Sequence, residues 1–410
     1  VSDEHRELAE ERLRYHTVYN ASWSFVESGH ASAPMGMIVV DTECVGEPPR
    51  MWEEREVDFT PSPGEADAVV PGTDGGLELL VLISEWGWPL YSFMEETFAA
   101  IVRREVVRAW NILKRGIDNR RANGGTSPRR LYSLLGTPGI GKTAAVGLLF
   151  LHQLLHCSPD TIGAVLYVVR EHGYVFFKLG SRAGTAKDYR NVCDALAVVN
   201  ELADEGVQGC AIYDCWSKLE DMTNLPIGTW DVVVFNAPDV EIFYKIEEQT
   251  IVNYILFNGY NMRELMALHA WDLHKRGSGF FPILCSSDLS VLEAHAETVG
   301  PVPRYLRDED SYNYACSSIN QRIQCFPDDQ RDFLINTLLY RVKWLPRAHV
   351  YYLLKIVRVK HGVCEHFVMG PCSSAVEIEL RRVLLKDCYY LRRLMWRMVW
   401  CPETCVKLFE

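Results

Sequence analysis

The chain has 410 residues, 48% of them hydrophobic and 23% charged, ordinary globular values that exclude a mainly disordered protein and allow more than one domain. Its 42 Lys and Arg against 54 Asp and Glu give a net charge of −12, which excludes a protein that coats nucleic acid by bulk charge but permits a local basic face. Thirteen cysteines, an odd number without the dense spacing of a disulfide scaffold, point to a reducing compartment with most thiols buried.

Taken in chain order, VSDEHRELAEERLRY is charged from its start, unlike a signal peptide, and it opens on Val1 rather than Met, so upstream sequence is expected to be missing. Helical signals over 4–16 give way to a strand at MIVVD, Met37 to Asp41. The Pro-, Gly- and Asp-rich stretch 60–76 reads as a loop, and LELLVLI, Leu77 to Ile83, as a buried strand. A long helix is expected from Ser92 to about Ile117, ending at the linker NRRANGGTSPRR (119–130), where a domain boundary falls. Beyond it, LYSLL (131–135), AVLYVV (164–169), YVFFKL (174–179), GCAIY (209–213) and DVVVF (231–235) read as strands, and 142–156, 188–204 and 261–275 as helices. That alternation predicts a layered α/β domain with a mostly parallel sheet. Helices dominate 284–340, and the last segment opens with the strand-like HVYYLLKIVRVK and closes on a basic, aromatic helix. No apolar run approaches the roughly 18–20 residues of a membrane-spanning helix, so a soluble intracellular protein with no membrane contact is expected.

The strongest motif is GTPGIGKT, Gly136 to Thr143, which fits G-x-x-x-x-G-K-[ST] between the strand LYSLL and the helix KTAAVGLLFLHQLLH. Gly136, Gly139 and Gly141 let the backbone curl so that its N–H groups cradle phosphate oxygens, and the helix beginning near Lys142 turns its positive end to the same anion. Lys142 reaches the β- and γ-phosphates, and the Thr143 hydroxyl is a ligand for Mg²⁺. The nucleotide contacts expected are therefore Gly136, Thr137, Pro138, Gly139, Ile140, Gly141, Lys142, Thr143 and Ala144. ATP is the favoured ligand, and GTP is equally compatible with a loop that reads phosphates.

A carboxylate on a neighbouring strand is needed on the metal side, and Asp214 at the end of GCAIYD supplies it, with an ordinary strand-ending aspartate as the alternative. Cys215 follows, where many additional-strand ATPases carry a Glu that polarises the attacking water; Glu171 is a second candidate for that task. Asn236, at the end of DVVVF, is either a γ-phosphate contact or a turn residue before Ala237 and Pro238. Arg304 in VGPVPRYLRD sits at the start of a helix, reaching the γ-phosphate from a lid or forming a surface salt bridge.

Two basic stretches stand apart from this site. Residues 103–130 hold Arg103, Arg104, Arg108, Lys114, Arg115, Arg120, Arg121, Arg129 and Arg130, and 381–397 hold Arg381, Arg382, Lys386, Arg392, Arg393 and Arg397 among Tyr389, Tyr390 and Trp396. Each is a nucleic-acid or chromatin contact or, alternatively, a solvated or packed helix face. His361, Cys364, His366 and Cys372 match no standard zinc spacing.

SEWGWPLYSF, RREVVRAWNILKRGID, LLGTPGIGKTAAVGLLFLHQLLHC, GCAIYD and VGPVPRYLRDEDSYN, in this order, resemble the retrotransposon hot spot proteins of the trypanosome type over roughly residues 20–360. The resemblance implies a nucleotide-binding P-loop protein, nuclear or perinuclear, associated with chromatin and transcription; the NTPase domain also resembles that of Crinkler-type effectors. It implies the phosphate role for Gly136, Gly141, Lys142 and Thr143 and the metal-side role for Asp214. The expected fold is α/β, a P-loop NTPase core of the additional-strand, AAA/STAND-like kind. Its expected parts are an N-terminal module (1–118), the core (119–283), a helical lid (284–345) and a C-terminal α+β module (346–410). The expected function is nucleoside-triphosphate binding with weak ATPase activity, a conformational switch in a chromatin- or transcription-associated complex, in the nucleus rather than the cytoplasm. A non-hydrolysing, nucleotide-dependent binding module or a degenerate family copy is the alternative.

Overall fold

A parallel strand covered on both faces must be apolar at every position, and this is the texture of the runs that follow residue 130. In a computed structural model these runs form the centre of the molecule. It describes residues 3–58, 76–84, 88, 99–123, 130–169, 173–180, 184–214, 226, 228–236, 251–276, 283–284, 288–324, 352–361 and 364–385.

Seven strands make the main sheet: β5 (Leu131–Gly136), β6 (Ala164–Val169), β7 (Gly173–Lys178), β8 (Thr185–Tyr189), β9 (Gly209–Asp214), β10 (Asp231–Asn236) and β11 (Val252–Phe257). Their order is β11-β5-β10-β9-β6-β7-β8. The first five run parallel, and β7 and β8 extend the sheet as antiparallel hairpin strands. Side chains alternate between two apolar faces: Val232 and Val234 pack with Ala195 and Val199 on one, while Val233 and Phe235 join the larger core on the other. The helix of Ala195 and Val199, α5 (Val192–Asp204), is started by the Asn191 side chain, which accepts from the Cys193 N–H at 2.8 Å.

A second, antiparallel sheet precedes it, with β1 (Ser22–Ser28), β2 (Met37–Val45), β3 (Leu77–Ile83) and β4 (Ala99–Val102) in the order β2-β1-β3-β4. Helix α1 (Asp3–Tyr19) crosses to the far edge of the main sheet, where Arg14 pairs with Asp188 of β8 and Tyr19 stacks on His156 at 4.1 Å. A short α2 (Glu54–Val57) and the long α3 (Arg104–Ala122) complete this part, and α4 (Leu148–Leu155) and α6 (Met262–Lys275) pack into the larger core. The C-terminal elements are α7 (Leu289–Val299), α8 (Pro303–Leu306), α9 (Glu309–Gln324), the antiparallel hairpin β12 (Leu354–His361) and β13 (Cys364–Pro371), and α10 (Ser374–Leu385).

The expected α/β class with a parallel-rich sheet is found. Several expected elements need correction. The helix expected over 92–117 is not continuous: Ala99–Val102 is a fully buried strand whose Val102 pairs with Leu80, a helix starts at Arg104, and 92–98 lie outside the described residues. The same helix continues to Ala122, past the expected linker start, because Arg120 is buried against Asp231 at the start of β10. Strands β1, β4, β8, β11 and β13 were not foreseen, and the helix expected from 188 starts at Val192 because 185–189 pair with β7. Among the described residues no helix is long and apolar enough to cross a membrane.

Candidate nucleotide site

The phosphate motif leaves the carboxyl end of β5 and turns at once into a helix. Ligands of open parallel sheets bind at that edge, because the strand ends release loops there while helix N-termini face them. Gly136 is the last residue of β5 and lies opposite Phe257 of β11. Gly139 and Gly141 take φ of 88° and 82°, left-handed values that side chains other than glycine rarely adopt. Gly139 is doubly constrained, since a Cβ there would lie 2.9 Å from Val302 and 3.1 Å from the Cβ of Arg304.

The other loop residues divide between holding and presenting. Ile140 is buried and pins the loop to the core, while Pro138 and Ala144 are half-buried at its surface. The Thr137 hydroxyl is buried and accepts the Ile356 N–H of β12 at 2.9 Å. Lys142 donates from Nζ to the Gly136 carbonyl at 2.6 Å and to the Thr137 carbonyl at 3.0 Å, folding its ammonium back over the loop. The first turn after Gly141, Lys142–Gly147, is a wide π-type turn that continues into α4, so the expected single helix over 142–156 has two windings.

Thr143, Asp214 and Asn236 are placed by their backbone. Asn236 ends β10 opposite Leu135, one residue before the loop begins. Asp214 ends β9, opposite Val169 of β6, and β10 stands between β9 and β5. The three positions therefore share the carboxyl edge of the sheet with the loop. Glu171 and Cys215 lie outside the described residues. Arg304, on α8, is brought to the loop by its contact with Gly139 and has an exposed side chain.

The first basic stretch is largely not a surface. Arg103, Arg108 and Arg120 are buried, at 1%, 1% and 7% exposure, because each has carboxylate partners inside the molecule. Arg103 pairs with Glu264 at 3.0 Å, and Glu264 also closes the N-terminal capping box of α6 with Asn261. Arg108 pairs with Glu105 at 3.2 Å and Glu365 at 3.0 Å and donates to the Leu256 carbonyl of β11. Arg358 of β12 pairs with the same Glu105 at 2.8 Å and the same Glu365 at 2.9 Å. Burial pushes the Glu105 carboxyl up, and Arg108 and Arg358 outweigh it, so the group is held below the usual carboxylate range. Lys114, Arg115, Arg121 and Arg130 remain exposed and Arg104 half-buried; Arg129 lies outside the described residues. In the second stretch Arg381 pairs with Glu377 at 2.6 Å and Arg382 with Glu379, while 386–397 lie outside the described residues.

Sequence reasoning missed the network of Glu105, Glu264, Arg358 and Glu365 and the tether from Thr137 to Ile356. The i,i+3 spacing of Glu105 and Arg108 was a local signal; the partners more than a hundred residues away left none. Among the described residues no group of three or more His, Cys, Asp or Glu is placed to hold a metal ion.

Comparison with known proteins adds to this geometry. A search of curated proteins finds no match. Among solved structures, a signal transduction ATPase with numerous domains (STAND) protein with a tetratricopeptide repeat sensor, from Pyrococcus horikoshii, is 11% identical. That match covers 72% of this chain and 46% of the other, with a TM-score of 0.21, too low to carry fold or function over. Residues 15–125 match the N-terminal family of retrotransposon hot spot proteins. Residues 133–405, well over half the chain, match the P-loop domain of the retrotransposon hot spot protein, and the chain belongs to that family.

Proposed function

We propose that the protein binds a nucleoside triphosphate with Mg²⁺ at the carboxyl edge of the main sheet and hydrolyses it slowly, as a conformational switch in a nuclear chromatin- or transcription-associated complex. The observation that carries this reading is the loop itself: left-handed Gly139 and Gly141 between β5 and a helix, with Asn236 ending the adjacent strand and Asp214 the strand beyond it. The placement of β10 between β5 and β9 supports the additional-strand form of the fold, and the helical run α7–α9 over the loop supports a lid.

In this reading the loop N–H groups hold the β-phosphate, and Lys142 exchanges its bonds to Gly136 and Thr137 for phosphate oxygens. Asn236 orients the γ-phosphate or its attacking water, and Arg304 closes on the γ-phosphate from α8. Mg²⁺ fits the donor set, since Thr143 offers a hydroxyl at the loop exit and Asp214 a carboxylate at the neighbouring edge, both hard oxygen ligands. When bound, it would neutralise charge on the β- and γ-phosphates. ATP is the favoured nucleotide, with GTP held by the same phosphate contacts. Contact with nucleic acid or chromatin proteins falls to the exposed Lys114, Arg115 and Arg121 and to the 381–397 stretch.

Cys215, in place of a water-polarising Glu, favours a second reading in which the nucleotide is held without turnover. Equilibrium binding with Mg²⁺ and phosphate release test both. Lys142→Ala is expected to weaken ATP and GTP binding by roughly ten- to a hundredfold, the worth of charge-assisted hydrogen bonds. Unchanged affinity in that variant would rule out the phosphate site. ATP binding with phosphate release at background decides for the second reading.

A further inference from the structure

A phosphate loop grips one end of a nucleotide and leaves the base outside. What the base meets depends on the elements over the loop, and two tethers bring these there. Arg304 of α8 lies against Gly139, and Ile356 of β12 is hydrogen-bonded to Thr137. Tyr305 directly follows Arg304, and Tyr352 lies four residues before Ile356, within about 13 Å of the loop even if that stretch is fully extended. Tyr305 and Tyr352 stack with ring centroids 5.3 Å apart and planes at 23°. The guanidinium of Arg322, from α9, lies over the Tyr352 ring at 4.9 Å. Tyr305 is buried, and Tyr352 is engaged by both neighbours.

The third ring differs. Tyr314, on the same helix as Arg322, meets Tyr352 edge-on at 6.1 Å and 71°, which fixes its orientation. Yet it is 64% exposed, the one exposed Tyr, Trp or Phe among the described residues. An anchored, exposed ring backed by Tyr352, with the Arg322 guanidinium over that backing ring, has the composition of a base-stacking platform, where a π-face and a cation act in one cluster.

We propose that Tyr314, backed by Tyr352, Tyr305 and Arg322, stacks the base of the nucleotide whose phosphates occupy the loop. The inference rests on the nucleotide reading above and deepens it by assigning the base end. Stacking reads ring area rather than hydrogen-bonding edges, so the platform serves adenine and guanine alike. It also gives the lid a contact with ligand beyond Arg304, so that the base helps draw α8 and α9 onto the loop.

Equilibrium dialysis with Mg²⁺ and three probes (ATP, GTP and inorganic triphosphate) tests this on the wild type, Tyr314→Ala and Tyr314→Phe. Tyr314→Ala is expected to weaken ATP and GTP by roughly five- to a hundredfold, the range for loss of one stacking ring, and to leave triphosphate affinity unchanged. Tyr314→Phe keeps the ring and is expected to retain wild-type affinities. Equal ATP affinity in wild type and Tyr314→Ala, or an equal loss for triphosphate, overturns the platform. A wild-type protein that binds neither ATP nor triphosphate overturns the phosphate site and the platform together. Because the Tyr314 side chain lies largely outside the core, its removal forfeits the edge contact with Tyr352 and leaves the core packing in place.

Discussion

His152 shows how one side chain can report the packing around it. It lies on α4 with no exposure, its ring edge-on to Trp23 at 5.8 Å and 4.4 Å from the ring of His156. Burial, and then His156, push its pKa down to about 3. The unfolded chain takes up a proton near the ordinary value of about 6.5 while the folded chain stays neutral, so stability is complete above that pH. It falls as pH drops from there towards 3, by up to about 1.4 kcal/mol per pH unit for this group. Thermal melts at pH 7, 6 and 5 are expected to show the wild type losing stability on acidification more steeply than His152→Leu. Equal slopes would mean that His152 is protonated in the folded protein. At this scale Gly139, Gly141 and Lys142 were legible, because a phosphate loop is a local device written in consecutive residues. Arg304 was legible only as a candidate; its contact with Gly139 joins residues 165 positions apart.

The hairpin of β12 and β13 is held at two points that bear on the site. One is the Thr137 hydroxyl; the other is the buried set of Glu105, Arg108, Arg358 and Glu365, which joins α3 to the hairpin. Glu105 is shared by both arginines, so Glu105→Ala leaves two buried guanidinium groups short of a carboxylate. A loss of about 3–5 kcal/mol is expected, read from the midpoint of urea denaturation, whereas a surface ion pair would give less than about 1 kcal/mol. The elements themselves were unevenly legible. Strands β3, β5, β6, β9 and β10 are apolar runs buried on both faces, and these were expected. TAKDY of β8 and CEHFVMGP of β13 carry no apolar period, because each is a strand through its partner's hydrogen bonds. AAIV of β4 is four residues long and small enough at its start to pass for a helix.

Across the whole molecule, loop, strand ends and α8 meet only when both the sheet and the C-terminal hairpin are formed. A ligand gripped there stabilises the folded chain alone. ATP with Mg²⁺ at a hundred times its dissociation constant is expected to add about 2.7 kcal/mol to unfolding, and only about 0.4–1.4 kcal/mol in Lys142→Ala at the same concentration, given its ten- to hundredfold weaker binding. A wild-type melting temperature unmoved by saturating ATP would contradict nucleotide binding at this fold. The residue order dictated the phosphate loop, the α/β class and the family, because each depends on short-range pattern: glycine spacing, apolar period and contiguous strings. The net charge of −12 was also plain, but not where the charge lies. The tertiary structure buried Arg103, Arg108 and Arg120 against distant carboxylates, set β10 between β5 and β9, and brought Arg304 and Tyr352 towards one loop. Those outcomes turn on which segments meet across long stretches of chain, and burial, ion pairing and register select the meeting only once the surrounding surfaces exist.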